Sequence, residues 1–506
     1  MHDKQTNIKL VVAGLLLGIL MAAMDNTIVA TAMYTIVEKL GGSKQFVWVT
    51  SAYMVAVMAG TPIFGKLSDM YGRKRFFIFG LIVFLAGSAL CGMANSIVEL
   101  SIFRAIQGIG GGALMPIAFT IVYDVFPAEQ RGKMTGLFGA VFGTSSILGP
   151  LLGAYITDYI GWEWVFYVNV PIGILSFIFI TFYYKESMEH SKQKIDWTGA
   201  ITLVGAVVSL MFALELGGEK YAWDSAVILG LFAAFALLFI VFLFAETKAA
   251  EPILSFKMFK DRLFASSNAV ALLYGAGFIV ATVYIPIFVQ GVFGDSASNS
   301  GLILMPMMLG SVVGSQLGGF LTTKTSFRNI MTFSAICFVI GLFTLGTLSP
   351  DTARVLVTIY MILTGFGVGF SFSVLSMASI NNFDMRQRGA ATSTNSFLRS
   401  FGMTLGITIF GIIQRNSFTN KATELFGGSA AAVQGASDRN SFISQADRAK
   451  IPAEVLHKIT TALSSSIAHT FLWALVPAGL ALLFVFAMPG DRVKMRKNAS
   501  AASGRS

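Results

Sequence analysis

The sequence predicts an all-α integral membrane protein with fourteen transmembrane helices, and both its composition and its apolar runs support this fold class. Of the 506 residues, 55% are hydrophobic and only 12% are charged, and the mean hydropathy is +0.72, which is not the composition of a water-soluble surface. Apolar runs of about twenty residues, enough to cross roughly 30 Å of hydrocarbon, recur from Lys9 to Pro489. Gly-rich and polar breaks separate these runs, and no soluble domain interrupts them.

The apolar runs place the fourteen spans approximately, and the first run is too long for a cleaved signal sequence, so we expect it to remain as a helix. The predicted spans are 10–36, 47–65, 76–95, 100–123, 134–156, 164–184, 197–215, 225–245, 263–289, 300–322, 329–348, 354–379, 390–414 and 467–488.

The net charge of +10 has a topological explanation. With both termini inside, 24 of the 36 Lys and Arg residues fall in cytoplasmic segments, ten fall outside and two lie within spans. Six of the outside ten lie in one long loop, 415–466, where the positive-inside rule is weak. We therefore expect a multi-pass protein of the cell membrane with cytoplasmic termini, in contact with lipid and without a nucleic-acid partner.

An internal repeat divides the chain. The stretch "FPAEQRG" at 126–132 returns as "FDMRQRG" at 383–389, and the glycines of "QGIGGG" return at the same offset in "TGFGVG". At a similar offset, "GKLSDMYGRKR" from Gly65 matches a degenerate "GFLTTKTSFRN" from Gly319. Spans 1–6 are therefore expected to repeat as spans 9–14, with spans 7 and 8 inserted between them.

The repeat predicts the domain organisation of the chain. Residues 1–190 should form an N-terminal six-helix bundle, 191–260 the inserted helices with their cytoplasmic linkers, and 261–490 a C-terminal six-helix bundle; residues 491–506 form a cytoplasmic tail. In the outside loop, "IPAEVLHKITTALSSSI" has apolar residues at helical spacing, which predicts a helix lying on the membrane surface.

Two related six-helix halves are typical of secondary transporters, whose substrate site lies near the bilayer midplane at the repeat interface. Asp25 lies in an otherwise charge-free apolar span, and Arg104 lies inside span 4, where a cation costs about 2.5–3.5 kcal/mol unless it is paired or hydrated. The repeat counterparts of Asp25, Arg104 and Pro150 are apolar: Ile279, Met361 and Ile407. This asymmetry assigns ion coupling to the first half.

The loop "GKLSDMYGRKR" at 65–75, in which Gly65 and Gly72 permit a tight turn between two spans, resembles the signature loop of the major facilitator superfamily. Together with the motifs below, the whole chain resembles the fourteen-helix drug:proton antiporter branch of that superfamily. The resemblance implies that Asp69 and Arg73 lock the two halves together at the cytoplasmic side while the protein faces outward. Arg131 is the partner that we expect for Asp69.

Three further motifs support this resemblance. "MDNTIVATAM" resembles the span-1 motif of the branch and contains Asp25. "LSIFRAIQGIGGG" resembles the motif whose arginine, here Arg104, influences the protonation of a buried acid; its alternative is an arginine that reaches outward from the span end. "GLFGAVFGTSSILGPLLGAYI" resembles the antiporter motif through Gly149, Pro150 and Gly153, although close helix packing alone would also explain these residues.

We hypothesise that the protein is a monomeric, proton-coupled antiporter that exports lipophilic, cationic small molecules by alternating access. In this hypothesis Asp25 exchanges a proton for the substrate and contacts it. Alternatives are the export of a metabolite, siderophore or lipid, the exchange of metal cations for protons, and a receptor or scaffold that retains the fold without transport.

The remaining candidates carry no clear chemistry. No metal-ligand cluster, nucleophile constellation or phosphate-binding loop supports an enzyme, a metal site or a cofactor, and the two cysteines lie inside apolar spans. Glu215 near the end of span 7, Arg399 in span 13 and His469 at the start of span 14 receive no role.

Overall fold

The computed structural model describes residues 7–40, 47–186, 196–218, 220–249, 251–294, 297–426 and 452–493. Within these ranges, fourteen helices are long and apolar enough to cross a membrane. The prediction of an all-α protein with fourteen transmembrane helices is therefore confirmed.

The helices follow one another along the chain with short connections. Their bounds are α1 Ile8–Leu40, α2 Val47–Tyr71, α3 Arg73–Gly92, α4 Ile97–Val125, α5 Ala128–Tyr159, α6 Trp164–Tyr167, α7 Asn169–Tyr183, α8 Trp197–Leu216, α9 Ala226–Lys248, α10 Arg262–Phe288, α11 Ala297–Leu321, α12 Phe327–Leu345, α13 Arg354–Ile380, α14 Arg388–Leu425 and α15 Ala453–Ala487. The single turn α6 leads into α7, and together they form one span, Trp164–Tyr183.

Local sequence signals define several helix starts. The side chains of Ser96, Asp196, Ser225, Asp261 and Ser326 each accept a hydrogen bond from a backbone N–H three residues later, which satisfies one of the free amides of the first turn. Between α2 and α3 the turn is a single residue. Gly72 adopts φ 108°, a conformation that glycine alone takes without strain.

The helices form two bundles that meet along a seam. Helices α1 to α7 contact one another, and α10 to α15 contact one another. Across the seam, α14 contacts α2 and α4, while α5 contacts α11 and α13. These elements match the two repeated halves; the exact division at residues 190 and 260 stays a prediction.

The inserted helices α8 and α9 pack against each other and cover the seam on one side. A hydrophobic cluster joins the inserted pair to both bundles, because it contains Met58 of α2, Leu203 of α8, Phe242 of α9 and Phe397 of α14. After α9, the backbone N–H groups of Ile253 and Leu254 both donate to the Glu246 carboxylate, at 3.1 Å each. The hydrophobic cluster thus fastens the insertion to the seam, and the Glu246 bonds hold the following linker against α9.

The last two helices are longer than the sequence predicts. Helix α14 continues to Leu425, and α15 is continuous from Ala453 to Ala487, so its 35 residues span about 52 Å at 1.5 Å per residue. The prediction of a separate surface helix within the outside loop 415–466 is therefore wrong, because its apolar face packs as the start of the last span. Residues 427–451 of that loop and residues 494–506 of the predicted tail lie outside the described residues.

Candidate functional site

A buried ion pair lies inside the first bundle, formed by Asp25 of α1 and Arg104 of α4. Nη1 of Arg104 donates to Oδ2 of Asp25, and both side chains are fully buried. The two residues are 79 positions apart in the chain, so the packing of α1 against α4 brings them together. Because each charge neutralises the other, the pair avoids the cost of an isolated charge in the membrane interior.

Two carboxamides complete the surroundings of the Asp25 carboxylate. Its Oδ1 accepts from Nε2 of Gln107 at 2.8 Å and from Nδ2 of Asn169 at 2.9 Å. Both amides also donate to Ser88 Oγ of α3, at 3.2 and 3.0 Å, and Gln107 Oε1 accepts from Arg104 at 2.7 Å. The carboxylate therefore has three donors from two other helices, an arrangement that suits its ionised form.

The guanidinium of Arg104 is fixed by groups on two further elements. Its Nε donates to the carbonyl oxygen of Val49 at 3.2 Å, and its central carbon lies 4.1 Å from the ring centroid of Tyr53, so α2 supplies both contacts. Phe166 of α6 lies on another side at 5.9 Å. With this support Arg104 turns toward the bundle interior, contrary to the alternative that it reaches outward.

The side chains around Asp25 contain one negative and one positive charge, so the ion pair as a whole is neutral. The depth of the cluster follows from helix geometry, since Asp25 lies 17 residues into α1 and so about 26 Å from its first residue. We call this group of Asp25, Ser88, Arg104, Gln107 and Asn169 the polar cluster.

The antiporter-like motif packs directly against the Asp25 segment. A methyl group at Gly149 of α5 would overlap Oγ1 of Thr27, and one at Gly153 would overlap Oγ1 of Thr31. Close approach of α5 and α1 therefore depends on these glycines, while Pro150 lies within an uninterrupted α5. The motif and the acid meet at one helix contact.

A second constellation lies at the end of the molecule where α2 ends and α3 begins, which we call the basic end. The carboxylate of Asp69 accepts from the backbone N–H of Gly389 and of Ala390 at 2.8 Å each, and from Arg73 at 3.3 Å. The two amides belong to the first turn of α14, in the second bundle. An anion at a helix N-terminus is favoured by the free N–H groups and by the helix dipole.

Arg73 and Asp124 extend this connection across the seam. Arg73 is fully buried, contacts the carboxylate of Asp124 at the end of α4, and donates to the carbonyl oxygen of Met385. Arg388, at the start of α14, donates to Asp124 at 2.8 Å. Two acids of the first bundle thus hold the start of α14, and Gly65 lies so close to Gly389 that a side chain on either would overlap the other's backbone.

The structure does not bring Arg131 to Asp69, so that expectation is wrong. The Nε of Arg131 donates to the carbonyl oxygen of Phe126 at 3.0 Å, and its guanidinium lies 3.9 Å from the ring centroid of Tyr123. Its repeat counterpart Arg388 is the one that reaches an acid, and it stacks on the same ring at 4.8 Å. The difference arises because α14, not α5, starts opposite the α2–α3 turn.

Sequence reasoning missed several members of both constellations. The sequence could have indicated Gln107, because it follows Arg104 by three residues and so shares its helix face. The sequence could also have indicated Arg388, because the repeated "QRG" pairs it with Arg131. No sequence feature indicated Asn169 or Asp124, because only helix packing brings them to the other members.

The unassigned charged residues lie apart from the polar cluster. Glu215 is half-buried near the end of α8, and His469 is exposed on α15 beside Trp473, at 6.3 Å between ring centroids. Arg399 is half-buried on α14 and donates to Oγ and the carbonyl oxygen of Ser371 at 3.0 and 2.9 Å.

Comparisons with a family model, with curated proteins and with solved structures all find related proteins. The family model of the Major Facilitator Superfamily matches residues 15–407. Multidrug resistance protein 3 of Bacillus subtilis is 61% identical over 496 residues, covering 97% of each chain. Multidrug transporter protein MdtP of the same species is 40% identical over 423 residues, covering 84% of this chain and 78% of the relative. A solved structure of the proton:xylose symporter XylE shares the fold, with a TM-score of 0.64, 14% identity, and coverage of 96% and 98%.

Proposed function

The chain belongs to the major facilitator superfamily, a family of membrane transporters, and we propose that it is a proton-coupled antiporter that exports lipophilic cationic compounds by alternating access. The observation that carries this proposal is the polar cluster, in which one membrane-buried carboxylate is matched by one guanidinium and two amides. Export of several drugs is supported by the names of the two Bacillus subtilis relatives.

The coupling step follows from the charge of the polar cluster. With Asp25 ionised, the pair with Arg104 is neutral, so a cationic substrate bound nearby meets no net charge from it. When Asp25 takes a proton, Arg104 leaves one uncompensated positive charge, which repels that substrate by several kcal/mol at effective dielectric constants of about 20. Protonation from outside therefore favours release, and loss of the proton inside favours binding.

The state of the molecule supports alternating access. The contacts of Asp69, Arg73 and Asp124 with the start of α14 close the seam at the basic end. By the positive-inside rule that end is cytoplasmic, and these contacts support the proposal that Asp69 acts as a lock in an outward-facing state. Each proton entering across 100 mV supplies about 2.3 kcal/mol, which is enough to bias the exchange.

Reconstituted transport tests the proposal. Purified protein in proteoliposomes is given an imposed pH gradient, and movement of ethidium, a lipophilic cation, is followed by fluorescence. Wild type should transport ethidium against the proton flow, and Asp25→Asn should lose the gradient-driven part while reaching the membrane normally. Asp351→Asn makes the same change at an exposed position and should retain transport. Full coupling in Asp25→Asn would overturn the assignment of Asp25.

A further inference from the structure

Arg399 is a second intramembrane cation, and its surroundings differ from those of Arg104. It lies 11 residues into α14, about 17 Å from the first residue of that helix and so near mid-membrane. Within the part of the chain that the structure describes, no carboxylate lies within 4 Å of its guanidinium, whereas Arg104 has Asp25. Cations at this depth are hydrated or bonded to anions or backbone carbonyls, and they commonly mark substrate or ion sites.

The contacts of Arg399 leave part of its hydrogen-bonding capacity unused. A guanidinium has five N–H donors, and two of them bond to Ser371 of α13. The described residues provide no acceptor for the other three, and the side chain is half-buried rather than enclosed. Its central carbon lies 4.6 Å from the ring centroid of Phe372, so an aromatic face backs the charge. The group is held in place but is not saturated.

Arg399 lies on a helix that takes part in the contact between the two bundles. Its own hydrogen bonds and ring contact are to Ser371 and Phe372 of α13, and α13 and α14 as whole helices contact α2, α4 and α5 of the first bundle. The repeat interface is where transporters of this architecture bind substrate. The repeat counterpart of Arg399 is Phe142, so the cation belongs to the second half alone, just as the acid Asp25 belongs to the first.

We propose that Arg399 forms a subsite for a carboxylate on the substrate, which extends the range of the pump from lipophilic cations to lipophilic zwitterions. This inference rests on the proposed export function for the use of the site. A zwitterion would place its cationic group beside the neutral Asp25–Arg104 pair of the first bundle and its carboxylate on the free donors of Arg399 in the second. A planar carboxylate suits the fork of a guanidinium.

A matched pair of dyes tests the subsite. Rhodamine B carries a cationic xanthene and a carboxylate, and its ethyl ester keeps the cation and lacks the carboxylate. Fluorescence anisotropy with protein in nanodiscs gives the Kd of each dye without any gradient. Arg399→Gln should raise the Kd for rhodamine B about tenfold or more, the scale of one charge-assisted hydrogen bond, and should change the Kd for the ester less than about twofold.

Three controls separate binding from a structural role. Arg399→Lys keeps the charge and should retain most of the affinity for rhodamine B. Ser371→Ala removes the hydroxyl bond to the guanidinium but keeps the bond to the backbone carbonyl oxygen. The Kd of each dye should therefore change little, and by the same factor. Arg415→Gln makes the same change on the exposed far part of α14 and should leave both Kd values unchanged.

Equal weakening of both dyes in Arg399→Gln, no weakening of either, or a wild type that binds the ester but not rhodamine B would each overturn the subsite. The proposed function is judged separately, by whether a pH gradient drives transport of the ester. If a pH gradient does not drive transport of the ester, the proposed function fails, but the Kd difference between the two dyes still tests the subsite. If the Kd difference is absent, the subsite fails, but gradient-driven transport of the ester still tests the proposed function.

Discussion

Gly132 of α5 and Gly319 of α11 meet backbone to backbone across the seam, so closely that a side chain on either would overlap the carbonyl oxygen of the other. Gly65 and Gly389 make the equivalent contact on the other side of the seam. The internal repeat relates the two contacts, since Gly65 corresponds to Gly319 and Gly132 to Gly389. Both glycine pairs bring the bundles together at the basic end, but Asp69 lies beside only the Gly65–Gly389 pair.

Gly132→Ala should hinder closure of the basic end, because its methyl group would overlap backbone that cannot move aside without separating α5 from α11. We expect a shift toward the inward-facing state and a several-fold loss of transport at normal expression. Distances between spin labels at the basic ends of the two bundles measure the shift. Gly479→Ala is the matched control, since no atom lies within 4 Å of the added methyl group. Equal behaviour of the two variants would contradict the prediction.

Asp69→Asn should weaken the outward-facing state. The substitution removes the charge that accepts from Gly389 and Ala390, and a charge-assisted hydrogen bond contributes about 1.5–3 kcal/mol, so the population ratio should shift by about ten- to a hundredfold. Accessibility of a cysteine placed at the basic end, measured by alkylation rate, reports this shift. Glu251→Gln, which breaks the partly exposed pair with Lys66, should shift the ratio far less. An unchanged alkylation rate in Asp69→Asn would argue against the lock.

Arg104→Ala should destabilise the protein more than the double variant Asp25→Asn/Arg104→Ala. Removing the arginine alone leaves a buried carboxylate without its counter-charge, at a cost of about 3–5 kcal/mol, whereas the double variant leaves a neutral amide. Thermal unfolding in detergent, followed by the reactivity of buried cysteines, measures the order. The prediction fails if the double variant is the less stable of the two.

Asn169→Ala should reduce gradient-driven transport several-fold. Asn169 donates to the carboxylate of Asp25 at 2.9 Å and to Ser88 at 3.0 Å, so its removal leaves the proposed coupling residue less firmly held. The rate of ethidium transport in proteoliposomes under a fixed pH gradient measures the loss. Ser176→Ala, two turns further along α7 with its hydroxyl bonded to the carbonyl oxygen of Gly14, should leave the rate unchanged. An unchanged rate in Asn169→Ala would contradict the argument.

The fold could be predicted closely from the sequence because hydrocarbon thickness sets the length of each apolar run, and the repeat sets the order of the halves. The errors fall at the ends of α14 and α15, where helices continue beyond the apolar stretch because polar residues such as those after Ala453 also form helix in water. Hydropathy detects the membrane boundary and not the end of a helix.

Only the charged members of the candidate site could be predicted from the sequence. A charged residue in an apolar run costs free energy, so Asp25, Arg104 and Arg399 are conspicuous in a linear sequence, and a signature loop makes Asp69 conspicuous as well. Uncharged partners such as Gln107 and Asn169 cost little and occur in many helices, so composition does not distinguish them.

The sequence by itself determined the class of the protein, its fourteen spans, its two repeated halves and the residues that bear unusual charge. Only the tertiary structure decided the partners: Arg104 for Asp25, the first turn of α14 for Asp69, and none with opposite charge for Arg399 within the described chain. The physical reason is that insertion into the membrane depends on each span separately, whereas a hydrogen bond between helices depends on how spans far apart in the chain rotate and approach when they pack.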